Sequence, residues 1–188
     1  MTVLGSSTDL AAPTGTYTLD IAHTRIGFTA RHAMVTKVRG SFNDFTGVLE
    51  LDGAEPGLST ARVAIKADSI DTRNAQRDGH LRSGDFLEVE RFPEITFAST
   101  GARQLDQANF QLTGDLTIKD VTRPVTIDFN YEGTATDPYG NVRIGFEGSV
   151  VISRRDLELQ DDPVANQYAA GLQCRVPGEA EVPAADDH

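Results

Sequence analysis

Apolar and polar positions alternate along most of this chain in short runs separated by turn-forming residues. Ile26, Phe28, Ala30 and His32 share one parity across residues 25–33, after a short extended piece at 17–20. Phe45, Gly47, Leu49 and Leu51 do so within residues 35–52, where Gly40 marks a candidate bend or bulge. Val63, Ile65 and Ala67 alternate with Arg62, Ala64 and Lys66. Ile95, Phe97 and Ser99 follow, then Leu112, Gly114, Leu116 and Ile118, then Val125, Ile127, Phe129 and Tyr131. The most regular run is Val142, Ile144, Phe146, Gly148, Val150 and Ile152. A period of two is the mark of a strand with one buried face. The turns Gly53 to Ser59, with Pro56 and Gly57, and Asp137 to Asn141 punctuate it. About eight strands so connected, with no heptads and no repeat, predict an all-β antiparallel sandwich or barrel.

Residues 68–100 break this rhythm and carry most of the clustered charge. Asn74 is placed to cap a short helix through Ser83, its side-chain oxygen accepting from a first-turn amide. Ser83 starts a second short turn in which Asp85 sits where a helix dipole favours an anion, and Pro93 returns the chain to extended geometry. The prediction is a helical insertion near residues 73–89 beside one barrel mouth.

At 188 residues with no internal break in composition, the chain reads as one domain with a real core. The formal charge of −11 argues against nucleic acid and anionic membranes as partners. From residue 157 on, Glu158, Asp161, Asp162, Glu179, Glu181, Asp186 and Asp187 face Arg175 alone, so the tail holds −6 and the rest only −5. Cys174 is the one cysteine, which rules out an intrachain disulfide and a cysteine metal cluster. The opening residues lack a basic, apolar leader, and no run approaches the roughly 18 apolar residues of a membrane span, so a cytoplasmic location is expected. Residues 1–15, rich in Gly, Ser, Thr and Pro, are expected to form a flexible arm.

An eight-stranded barrel is just wide enough to be filled by side chains or to hold one small ligand. This chain has no tryptophan, and its alternating rows include Gly27, Ala30, Gly40, Gly47, Ala67, Gly114 and Gly148. Where these point inward they are expected to leave volume unfilled, and an unfilled apolar lumen calls for an apolar ligand.

Residues 17–47 carry an Asp-x-x-His-Thr entry, a strand ending in Arg31-His32 and then Val38-x-Gly40-x-Phe42. Ser69-Ile-Asp-Thr-Arg-Asn, Arg77-Asp, His80-Leu-Arg-Ser, Asp85-Phe and Phe92-Pro-x-Ile-x-Phe follow, and then residues 112–129. In order and spacing this resembles the YceI-like proteins over residues 17–156. The resemblance implies a lipocalin-like barrel over residues 16–156 that binds a long apolar chain, such as a polyprenyl lipid or isoprenoid quinone, with no cofactor required. It also implies that some relatives are exported. Phe28, Ala30, Val48, Ile65, Phe97, Leu116 and Ile127 are the candidate lumen residues. His32, Arg77, His80 and Arg82 are the candidate head-group contacts; the alternatives are a structural role for His32 and salt bridges from the other three to Asp78, Asp85 or Glu88. His23 beside Asp20 reads as fixing a turn. A competing reading makes the histidines and these aspartates a metal or acid–base site, but no metal-ligand spacing and no Gly-x-Ser-x-Gly occurs, so a non-enzyme with no metal is expected. A third reading is a filled barrel that serves only in interaction.

The C-terminal end departs from that pattern. Leu157 and Glu158 stand where Phe and Gly are expected, and residues 157–188 are acidic, rich in Pro and Ala, and without an alternating run, as a shifted reading frame would leave them. The tail is expected to be poorly ordered, with weak pairing through residues 172–176 as a substitute strand. A missing closing strand would leave an open edge able to pair two copies of the chain.

Overall fold

The structure, a computed structural model, describes residues 14–32, 36–153, 157 and 178–180. Its elements are β1 (Gly15–Leu19), β2 (Ile26–His32), β3 (Thr36–Phe42), β4 (Phe45–Leu51), β5 (Thr60–Lys66), β6 (Ile70–Asp71), α1 (Ala75–Arg82), β7 (Glu94–Gln104), β8 (Asn109–Ile118), β9 (Val121–Thr136), β10 (Val142–Ser149) and β11 (Gly178–Ala180). Eight strands form one antiparallel sheet in the order β10-β9-β8-β7-β5-β4-β1-β11, and β2-β3-β6 form a second. The fold is the all-β antiparallel one that the alternation predicts.

Two bulges help the large sheet curl. Thr100 is the extra residue between Ser99 and Gly101 of β7, and a second register shift opposes Gly145 and Phe146 of β10 to Gly133 and Tyr131 of β9. Bulges bend a strand and increase its twist; Gly133, at φ +125°, takes a conformation that a side chain would strain. The curl brings distant strands together: Tyr17 and Leu51 from β1 and β4 pack with Ile144 and Phe146 from β10 in one buried cluster.

The continuous run of residues 35–52 is two strands in two sheets. At Asn43 the backbone N–H donates to the Ser69 carbonyl at 3.2 Å, so β3 pairs with β2 and β6 while β4 turns away to pair with β1 and β5. Gly40 is not a bulge: β2 and β3 pair without a shift from Ile26↔Phe42 to His32↔Thr36.

The helix begins as its cap residue dictates, the Asn74 side chain accepting from the Arg77 N–H at 2.9 Å. The second short turn follows at Ser83, with Phe86 N–H on the Ser83 carbonyl and Asp85 N–H on Ser83 Oγ. Buried Asp78 ties α1 to the chain before it, its Oδ1 accepting from the Thr72 N–H at 2.9 Å and the Thr72 hydroxyl at 2.5 Å. Asp78→Ala strands both donors in a buried place, and leaving a buried donor unsatisfied costs about 1–3 kcal/mol. Urea unfolding should show a loss of about 2–4 kcal/mol for this variant and a smaller one for Asp78→Asn, which keeps an acceptor.

The C-terminal expectation needs correction at the four tail residues that are described. Leu157 is 2% exposed and belongs to the main core. Gly178–Ala180 pair with β1 as Leu19↔Gly178, Thr18↔Glu179 and Tyr17↔Ala180, so that edge is not open there. The backbone N–H and C=O groups of an edge strand need partners, which this short strand supplies. The substitute strand at 172–176 lies outside the described residues, as do residues 1–13 of the expected arm. Its last two residues are built in: Gly15 opens β1, and Thr14 Oγ1 accepts from the Gly53 N–H at 2.9 Å.

Candidate functional site

The inner rows of the strands enclose a cavity of about 680 Å³. That is far above the roughly 10–15 Å³ that admits a single water and lies within the roughly 300–1,000 Å³ of small-molecule sites. Phe28, Ala30, Ile65, Phe97, Leu116 and Ile127 all line it. Val48 borders it too, but its side chain stands in the opposite row of β4 with Thr46 and Glu50, across from Arg62, and is 42% exposed. Its parity in β4 makes it an outer-face residue, because Phe45, Gly47, Leu49 and Leu51 take the inner positions.

The expectation about small residues is also corrected. A Cβ on Gly40 would lie 2.4 Å from the Phe28 ring, one on Gly114 2.5 Å from the Phe97 ring, and one on Gly148 2.4 Å from the Phe129 ring. The space these glycines leave is therefore filled. What they permit is for the Phe28, Phe97 and Phe129 rings to pack directly over a glycine of the neighbouring strand while still lining the lumen.

Polar lining is sparse: Thr29, Ser59, Arg77, His80 and Arg103. Arg77 and His80 project from α1. Arg77 Nε donates to Thr72 Oγ1 at 2.7 Å and a terminal nitrogen donates to the Thr72 carbonyl at 2.9 Å, which fixes its guanidinium at the lumen wall. His80 Nε2 lies 3.6 Å from an Asp85 carboxylate oxygen, with most of the ring exposed. Arg82 does not line the cavity. Its guanidinium donates to the Asp68 and Ile70 carbonyls, both at 2.8 Å, and so fastens α1 to the chain around β6. His32 ends β2, and its side chain lies outside the described residues. Among the described residues no three His, Cys, Asp or Glu side chains are placed to hold a metal ion, and no helix is long and apolar enough to cross a membrane.

Several lining residues escaped the sequence pattern. The bulge at Thr100 reverses parity in β7, placing Ala102 opposite buried Leu112. Phe110 and Leu157, the residue that stands for an expected Phe, line the cavity too, and so do Phe129 and Phe146, which the alternation places in rows but which are not among the candidate lumen residues.

Where the curled sheet closes, the β1–β2 turn is joined to β10. The Asp20 carboxylate accepts from His23 Nδ1 at 2.6 Å, from the Ala22 N–H at 2.9 Å and from Arg143 at 3.2 Å, and Arg143 also reaches Asp137 at 3.4 Å. The hydrogen bond from His23 foremost, and the Ala22 amide and the charges of His23 and Arg143 with it, hold Asp20 below the usual carboxylate range against the opposing effect of burial. A carboxyl lowered on folding adds stability that is present above its unfolded pKa of about 3.9 and is lost as pH falls through the lower folded value. The melting-temperature gap between the wild type and Asp20→Asn should therefore be widest near neutral pH and shrink below about pH 4. A gap that stays constant to pH 2.5 would show that this carboxylate does not hold the seam.

A curled antiparallel sheet around an apolar lumen, crossed at one end by a short helix, defines a barrel of the lipocalin-like type. The chain belongs to the YceI-like family, whose domain model matches residues 17–176. It is 37% identical over 140 residues to Protein YceI of Escherichia coli, covering 74% of this chain and 73% of that one. The crystal structure of the Campylobacter jejuni YCEI protein superposes with a TM-score of 0.72 at 30% identity, over 87% of this chain and 97% of the other. A polyisoprenoid binding domain from Saccharophagus degradans shares the fold, with a TM-score of 0.62 at 13% identity over 89% and 99% of the two chains.

Proposed function

We propose that this protein binds one long-chain apolar isoprenoid, a polyprenyl lipid or isoprenoid quinone, in its lumen and serves as a carrier or store for it without a cofactor or catalytic step. The observation that carries this reading is the cavity of about 680 Å³ with its almost wholly apolar lining. Membership of the YceI-like family and the shared fold of a polyisoprenoid binding domain support it.

Energetics assign the work to the tail. At about 25 cal/mol per Å², a chain burying about 400 Å² of apolar surface gains about 10 kcal/mol before association costs. One neutral head-group hydrogen bond adds about 0.5–1.5 kcal/mol. In this reading the head lies at the α1 end, near Arg77 and His80, and discrimination among heads is weak. Fluorescence displacement with a polyprenol, its quinone counterpart and a short-chain prenol tests this. The reading expects similar affinity for the two long ligands and at least a hundredfold weaker binding of the short one; equal affinity for all three would defeat it.

A further inference from the structure

The two ends of the lumen differ in what lines them: Arg77 and His80 from α1 at one, and aromatic rings with Arg103 beside them at the other. At one end lie α1 and the residues after it, with Arg77 and His80 on the lining and His80 largely exposed. β7 leaves this end at Glu94, where Pro93 accepts from the Ala67 N–H, and runs to Gln104, which pairs with Phe110. Ten residue steps span roughly 30 Å of strand. At the far end Phe110 stacks on Phe129, with centroids 5.6 Å apart and planes inclined by 17°, and meets Phe146 edge-on at 5.1 Å. All three rings line the cavity.

This cluster is backed by packed core. Phe146 is 2% exposed, Ile144 and Tyr17 are each 1% exposed in the same cluster, and Tyr131 packs on Phe146 at 5.5 Å. Phe129 is held against Gly148, where no Cβ intervenes. The turn Pro56–Leu58 covers the end of β7 beside it, with the Gly57 Cβ position 3.6 Å from the Ala102 carbonyl oxygen. Aromatic rings have two side-chain torsions, and interlocked with one another they do not yield as an aliphatic floor does.

We propose that Phe110, Phe129 and Phe146 are the stop that sets the length of chain the lumen accepts, a specificity device that rests on the lipid-binding reading above. A tail that reaches the rings gains apolar burial with every added unit. One that is longer must displace them or leave its polar end short of its place near α1. The protein should therefore show an optimum chain length and not an affinity that rises without limit.

The test is a displacement series with all-trans prenols of increasing length on the wild type and three variants. Phe110 is half-buried, so Phe110→Ala deepens the lumen with less damage than truncating Phe146 would do. Ala102→Phe fills space beside the floor, since Ala102 lines the lumen opposite Leu112, next to the Gln104–Phe110 pair. Phe110→Ala should move the optimum to longer chains and raise the long-to-short affinity ratio by on the order of tenfold; Ala102→Phe should move it to shorter ones. Phe86→Ala, at the α1 end, should weaken all lengths alike. Uniform weakening by all three variants, or a wild type that has no optimum, overturns the stop. A wild type that binds no prenol of any length overturns the lipid-binding reading itself, and the stop with it.

Discussion

Ala61→Phe combined with Val63→Phe abolishes polyprenol binding while the barrel remains folded. Both positions belong to the inner row of β5, opposite Leu49 and Gly47, and both line the lumen. Two phenyl rings there project from one strand into the space the ligand's tail would cross. Overpacking a filled core costs typically about 1–3 kcal/mol because neighbours must move. Here much of the added volume enters a cavity, so the penalty to folding is small and the new rings gain burial of their own. Affinity should fall at least a hundredfold, equivalent to about 2.7 kcal/mol, with only a few degrees of change in Tm. Isothermal titration and thermal melts on the same samples check both halves. Undiminished binding in a folded double variant would place the ligand elsewhere on the molecule.

Gly114→Ala should be the most damaging alanine substitution among the described glycines. The added Cβ would lie 2.5 Å from the Ala98 carbonyl oxygen and 2.5 Å from the Phe97 ring. The ring could rotate away, but the carbonyl belongs to β7 and cannot retreat without disturbing its pairing with β8. The loss should be about 3 kcal/mol or more, in the range that single substitutions reach only through a named steric or burial fault. Gly79 supplies the comparison. It sits in α1 with nothing within 4 Å of its Cβ position, so Gly79→Ala should stabilise by about 0.5–1 kcal/mol through helix propensity. Chemical denaturation of the two variants should bracket the wild type; equal stabilities would mean that the ring-on-glycine contact is not a constraint.

Most of the barrel was legible because a two-residue period is a property of the chain itself. Ile65, Phe97, Leu116 and Ile127 each fall in a row that alternation alone defines, and the structure turns those rows inward. Capping chemistry is equally local, which is why Asn74 marks the start of α1. The misreadings come from features that no single strand contains. Val48 shares its run with Leu49, and only the pairing of β4 with β5 shows which parity faces the lumen. The break at Asn43 depends on Ser69, far along the chain. Thr100 reverses parity inside a strand, so Ala102 could not be assigned by counting.

The glycines teach the same lesson about the site. Gly40, Gly114 and Gly148 read as missing volume in sequence, whereas each is covered by a ring from the adjacent strand. Arg82 shows the converse: its charge and position near Arg77 suggested a ligand contact, and backbone carbonyls of residues 68 and 70 take its guanidinium instead. At the C-terminus, Gly178–Ala180 pair with β1 although the tail has no alternating run, because three residues need only reach an unpaired edge.

The central claim is that the lumen is an apolar ligand site, and native mass spectrometry of the purified protein, followed by organic extraction and identification of what is released, tests it most directly. The account predicts one long-chain isoprenoid or quinone per chain, either retained from the producing cell or taken up from added polyprenol. A protein that emerges empty and still takes up no added polyprenol, while melting cooperatively, would contradict it.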